Sequence, residues 1–174
     1  MINLVIPAAG AATRLRPLSA YTSKAMVRVN GKPCIDYILE QAHKLTEINE
    51  VVIVDGKFDD IREYCGIKHP NVKFIKQEEL RGPKDAIRIG MSALSNPSLP
   101  VVVWLGDAII LDNNLKLGEN FLLCKEVNDH HNWCMWDSKE FYDKPESSIH
   151  DGVALVGLYS FADGKDAYEA FEFD

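Results

Sequence analysis

The sequence predicts an α/β protein: a Rossmann-like three-layer αβα sandwich with a mostly parallel sheet and a small antiparallel addition in its C-terminal part. Three observations lead there. Short apolar runs such as 2–7, 51–54 and 100–105 do not alternate with polar residues, as expected of strands buried on both faces. Between them lie segments whose apolar residues recur at helical spacing, and strand-helix alternation implies βαβ units. The chain has 174 residues, 47% hydrophobic and 26% charged, which suits one soluble domain with one core.

The elements follow in order. Residues 2–7 form an apolar strand that ends at Pro7 and opens into the small-residue stretch Ala8, Ala9, Gly10, Ala11, Ala12. Residues 26–30 are strand-like, with a turn at Gly31, Lys32 and Pro33. Ile35, Ile38, Leu39, Ala42 and Leu45 line one face of a helix. A second buried strand covers 51–54, a short helix covers 59–65 and stops at Gly66, and a third strand covers 72–75. Pro83 sits where a first helical turn tolerates it, and Ala86, Ile87, Gly90, Met91 and Leu94 continue as one apolar stripe. The Val-rich run 100–105 is the next strand. Shorter strands are expected at 133–136, 140–142 and 153–161, then a closing helix at 167–171.

Charge narrows the partners. The net charge is −7, which argues against nucleic acid and anionic membranes. Yet Arg14, Arg16, Lys24, Arg28 and Lys32 all precede the first acid, Asp36, so the first 35 residues carry +5 and the remainder −12. A local basic segment on an acidic body marks an anion site. The apolar run at the start is too short, and lacks the basic flank, for a secretory or membrane signal. Four scattered cysteines without a CxxC pair fit a reducing cytoplasm. Cys124, His130, His131 and Cys134 are close in sequence, but their spacing matches no usual zinc pattern.

In open α/β sheets ligands bind at the carboxyl ends of the strands, so the loops after Ile6, Ile75 and Leu105 carry the chemistry. In the first, Ala8, Ala9, Gly10 and Ala11 let backbone approach a ligand closely, and their N–H groups can form an anion nest. Arg14 adds a fork-shaped cation and Lys24 a mobile one. Neither G-x-G-x-x-G nor G-x-x-x-x-G-K-[ST] occurs, so the loop is neither a dinucleotide fingerprint nor a P-loop, and a Rossmann-type oxidoreductase is disfavoured.

Taken together, P-A-A-G-A-A-T-R-L-R-P-L-S at 7–19 and S-K-A-M-V-R-V-N-G-K-P at 23–33 resemble the signature of the sugar-phosphate nucleotidylyltransferases, A-A-G-x-G-T-R-L-x-P-L-T, then P-K-x-[ML], then V-x-G-K-P. Ala12 stands for the second glycine, Ser19 for the threonine and Ser23 for the proline before the lysine. Later segments keep the family's order: Gln77 with Gly82 to Ala86, then Gly106-Asp107, Asp143-Lys144-Pro145, and the strand around Gly157 to Phe161.

The resemblance implies transfer of a nucleoside monophosphate from an NTP to a sugar 1-phosphate or similar phosphorylated acceptor, releasing pyrophosphate. It implies Arg14, Lys24 and Asp107 as catalytic residues, with Asp107 holding Mg²⁺. The nucleotide would contact Ala8, Ala9, Gly10, Ala11, Thr13, Arg14, Gln77, Gly82 and Asp107, Gln77 reading the base edge. Lys144 and Gly157 would serve the acceptor. The whole chain, 1–174, would be a single nucleotidyltransferase domain, with nucleotide binding in 1–110 and acceptor binding in a truncated or shortened 111–174. That short acceptor part is similar to the choline-phosphate cytidylyltransferase-like branch, where His130, His131, Trp133 and Trp136 would line an ammonium pocket. The family's second metal aspartate, in a W-x-D-x-G-T-like segment, has no counterpart, since no Trp follows Trp136. A domain that binds nucleotide or sugar nucleotide without turnover is therefore the alternative.

Overall fold

β1 (Ile2–Pro7) lies inside the sheet of this computed structural model, which describes residues 1–172 apart from the Arg14 side chain. It pairs in parallel with β4 (Ile48–Asp55) on one side and β6 (Val101–Trp104) on the other, and β4 pairs in parallel with β5 (Val72–Lys76). A two-stranded ribbon of β2 (Arg28–Val29) and β3 (Lys32–Pro33) stands apart. The alternation along β1 explains why it reads as uniformly apolar. Leu4 and Ile6 pack with Ile35, Ile38 and Leu39 of α1 (Cys34–Leu45) and Ile61 of α2 (Asp60–Lys68), whereas Val5 packs with Ile87 and Met91 of α3 (Pro83–Ser92) on the opposite face. Two cores, one per face, make the three layers.

β6 hands over to the antiparallel part. β10 (Val153–Phe161) runs antiparallel to β6, to β7 (Phe121–Lys125) and to β8 (Cys134–Trp136), which pairs in turn with β9 (Phe141–Asp143). The complete order is β5-β4-β1-β6-β10-β8-β9, with β7 also on β10. The register of β10 shifts between Leu155 and Tyr159, where Gly157 takes φ +88° and an added Cβ would meet Leu105 at 2.9 Å. Helix α4 (Gly164–Glu172) then returns to pack beside α3.

Three details differ from the sequence reading. α2 runs through Gly66 to Lys68, because Gly66 is right-handed and meets nothing within 4 Å, so it has no reason to end the helix. The strand expected at 26–30 shrinks to Arg28–Val29, preceded by a 3₁₀ turn at Lys24–Met26. β7 was not expected, although Phe121, Leu122, Leu123 and Cys124 form a short apolar run like those read as strands elsewhere; in the sheet these four are only half-buried. The antiparallel addition and the closing helix are where the sequence put them.

Candidate active site

Chain order reverses beside β1: β4 and β5 are laid down on one side, β6 on the other. Ligands of open α/β sheets bind at such a switch point, and here the loops after β1 and β6 meet. The Gly106 N–H donates to the Pro7 carbonyl at 3.0 Å, and the Ala8 N–H to the Val54 carbonyl at 2.8 Å. Ala108 N–H closes a turn on Leu105, and the buried Trp104 indole donates to the Ala108 carbonyl at 2.7 Å. Asp107 is thereby held between two anchored residues. Ala12 adopts the left-handed conformation at φ 48°, which explains why a glycine is the family's residue at this turn. The Ser19 hydroxyl ties its carbonyl at 2.6 Å.

Lys24 arrives from a third direction. Asp60 on α2 accepts the Thr22 hydroxyl at 2.5 Å and the Ser23 N–H at 2.8 Å, clamping the chain just before the lysine. The Lys24 ammonium is in ion-pair contact with the Asp107 carboxylate, both about one-third exposed or more. A cleft of about 440 Å³ opens there, walled by the backbone of Ala8 to Ala12, by Lys24 and Asp107, and by Gln77 and Gly82 across the gap. Gln77 is 4% exposed; its side-chain amide donates to the Asp85 carboxylate at 2.8 Å and to the Gly82 carbonyl at 3.3 Å. Gly82 has φ +92°, a conformation suited to glycine, and Pro83 starts α3.

Of the residues singled out from sequence, Ala8, Ala9, Gly10, Ala11, Lys24, Gln77, Gly82 and Asp107 therefore share one cleft. Thr13 lies beside it in the 3₁₀ turn Thr13–Leu15 without lining it. The role expected of Arg14 rests on a side chain outside the described residues. Lys144 sits at φ 49° after β9, bonded to its neighbour Asp143 at 2.9 Å, and does not line the cleft. Gly157 does not line the cleft; it backs Leu105, which does, and its carbonyl accepts the Leu105 N–H at 2.8 Å. Trp136 stacks on Phe141, and Lys125 lies over Trp133, so these aromatics already face protein groups. Among the described residues no three His, Cys, Asp or Glu side chains converge as a metal cluster, the Cys124 to Cys134 region included. Pro83 and Ala86, read from sequence as the start and apolar stripe of a helix, also line the cleft, as does Leu80, which sequence reasoning missed and which the structure leaves 52% exposed.

The chemistry available is that of cation, carboxylate and backbone. Burial pushes the thiols of Cys34, Cys124 and Cys134 up and that of Cys65 to about 12, so none is poised as a nucleophile. Asp107 is the only carboxylate lining the cleft among the described residues. A hard octahedral cation needs only one or two carboxylates when phosphate oxygens and water complete its shell, so Asp107 fits Mg²⁺ in the presence of a polyphosphate. No helix of the described residues is long and apolar enough to cross a membrane.

Comparison with known proteins agrees. The chain is 30% identical over 172 residues to the bifunctional protein GlmU of Methanocaldococcus jannaschii, covering 92% of this chain but 40% of that one. It is 26% identical over 203 residues to the UTP–glucose-1-phosphate uridylyltransferase of Staphylococcus epidermidis, covering 89% of this chain and 69% of the relative. The fold superposes on a crystal structure of UDP-glucose pyrophosphorylase complexed with UDP-glucose with a TM-score of 0.75 at 21% identity, covering 99% of this chain and 80% of that one. The family model of the MobA-like NTP transferase domain matches residues 4–117, more than half of the sequence and all of the cleft, so the chain belongs to that family of nucleotidyltransferases.

Proposed function

We propose that this chain transfers a nucleoside monophosphate from an NTP to a sugar 1-phosphate or a similar phosphorylated small molecule, releasing pyrophosphate. The observation that carries the reading is the meeting of Lys24 and Asp107 over a loop of small residues at the switch point of the sheet. In such a transfer an acceptor phosphate oxygen attacks the α-phosphorus while the bond to the departing pyrophosphate breaks. No protein nucleophile is needed, and catalysis reduces to positioning and charge neutralisation.

The backbone of Ala8 to Ala11 would lie against the triphosphate, with Thr13 beside it. Arg14, as the family signature implies, would grip the β- and γ-phosphates. Lys24 would exchange Asp107 for the two anions that must approach one another, the α-phosphate and the attacking phosphate. Asp107 would hold Mg²⁺, which when bound supplies charge neutralisation at the phosphate oxygens. Gln77 and Gly82 face the base. Residues 1–110 would bind nucleotide and 111–174 the acceptor, with Lys144 and Gly157 its contacts. The four free thiols suit a cytoplasmic setting.

The test is pyrophosphate release from NTPs with Mg²⁺ and a panel of sugar and amino-alcohol phosphates. Asp107→Ala and Lys24→Ala should each lower the rate by roughly 10²–10³. One observation favours a second reading, binding without turnover: Asp107 is the single carboxylate of the cleft among the described residues. NTP binding with no pyrophosphate release from any acceptor would establish that reading instead.

A further inference from the structure

The Gln77 amide is oriented without ambiguity, although amide orientation is ordinarily a matter of assignment. Its nitrogen faces two groups, the Asp85 carboxylate at 2.8 Å and the Gly82 carbonyl at 3.3 Å. The hydrogen bond from Gln77, then that from Arg88, holds the Asp85 carboxyl below its usual range, so at neutral pH it accepts and cannot donate. A main-chain carbonyl only accepts as well. The NH₂ must therefore face both, and its two hydrogens are spent. The carbonyl oxygen of Gln77 accepts from none of the described residues, and it is what a buried side chain lining the cleft has left to offer. Asp85 is itself fixed from behind, by Arg88 one helical turn along α3 at 3.0 Å.

From this geometry we infer that Asp85 is a positioning residue that makes Gln77 an acceptor-only reader, so that the cleft favours a nucleotide whose base directs a donor at the Gln77 oxygen, as the ring N3–H of uracil or thymine does. The inference rests on the nucleotidyltransferase reading and deepens it. Asp85 does not touch the nucleotide; it sets which atom of Gln77 does. Without Asp85 only the longer contact to the Gly82 carbonyl would hold the amide, which could then turn over and present NH₂ to the base.

The experiment compares UTP with 3-methyl-UTP, which lacks the N3–H but keeps the charge and the triphosphate, by calorimetric titration in Mg²⁺ buffer. Inorganic tripolyphosphate serves as a probe without a base. The wild-type chain should bind UTP about tenfold or more tightly than 3-methyl-UTP, the scale of one well-placed hydrogen bond. Asp85→Ala should bring that ratio towards one, and Asp85→Asn, which can still turn an oxygen to the Gln77 NH₂, should keep it. Tripolyphosphate should bind all three alike, showing that the variants fold and keep their phosphate cradle. An unchanged ratio in Asp85→Ala would overturn the inference, since the methyl group would then be rejected by shape alone. So would equal binding of the two nucleotides by the wild type, or a collapse of the ratio in Asp85→Asn as complete as in Asp85→Ala. Failure of the wild type to bind either UTP or tripolyphosphate would instead overturn the nucleotidyltransferase reading as well.

Discussion

Gly56→Ala tests how the cleft is built. A methyl carbon added at Gly56 would stand 2.5 Å from the carbonyl oxygen of Ala9 and 2.9 Å from its Cα. The second distance is roughly 0.6–1.1 Å inside ordinary carbon–carbon contact. The atoms met are backbone, so no side chain can rotate aside, and the loop is pinned nearby by the 2.8 Å bond from Ala8 to Val54. Overpacking of this kind costs about 1–3 kcal/mol, and a backbone clash belongs at the upper end. Replacing glycine restricts the unfolded chain and returns about 0.4–1 kcal/mol. The net loss of roughly 2 kcal/mol corresponds, for a chain of this length, to a fall in Tm of about 4–8 °C. Differential scanning calorimetry of the two proteins measures it. A Tm within about 1 °C of the wild type, a few tenths of a kcal/mol, would refute the claim that Ala9 is clamped against the end of β4. Gly10→Ala is the control: apart from its two chain neighbours, none of the described residues comes within 4 Å of its added carbon, so Tm should hold while affinity for NTP falls.

Two further outcomes are expected. The Ser23 hydroxyl is buried without a partner, the only such side-chain atom among the described residues, whereas the Ser23 N–H keeps its bond to Asp60. Ser23→Ala should therefore stabilise the chain by about 1 kcal/mol; a lower Tm would count against the hydroxyl being unsatisfied. Asp36 is 1% exposed, and burial alone would raise its carboxyl, but hydrogen bonds from Lys68, Tyr64 and His69 and the charge of Lys68 together hold it below the usual range. A depressed folded value means that its contribution is fully present above the unfolded value of about 4 and is lost as pH falls through the folded one. Asp36→Asn should thus unfold more easily in urea at pH 7, by a margin that narrows under acid; a margin constant with pH would show that the carboxylate is not the cause.

What could be read in advance follows burial. β1, β4 and β6 are apolar because both faces are covered, and α1 and α3 carry one apolar stripe each because one face is covered. Phe121 to Lys125 escaped although four of its five residues are apolar, because a run that short has no periodicity to separate strand from helix. At the site, small residues and lone cations were conspicuous in sequence and do meet in space. Lys144 was conspicuous too, yet its nearest anion is its own neighbour, a local pairing that spacing cannot distinguish from a ligand contact. Leu80 and Ala86 carried no chemical signal, and Asp85 reads in sequence as an ordinary acid in the first turn of a helix.

The handover at β10 has a consequence for how such a protein can change. Leu105 and Gly157 are joined by a 2.8 Å hydrogen bond, and β6 and β10 lie side by side, so the polypeptide leaves the sheet beside the cleft after β6 and returns to it at nearly the same point. Between them, Ile110, Leu115, Leu117, Phe121 and Leu123 pack onto the core, whereas β8 and β9 are held in the sheet by pairing with β10 and with each other. That β8–β9 edge can be lengthened, shortened or exchanged while the parallel strands and the Lys24–Asp107 pair stay where they are. Under the proposed function, variation in the acceptor would then fall on that edge, separately from the residues that would handle the triphosphate.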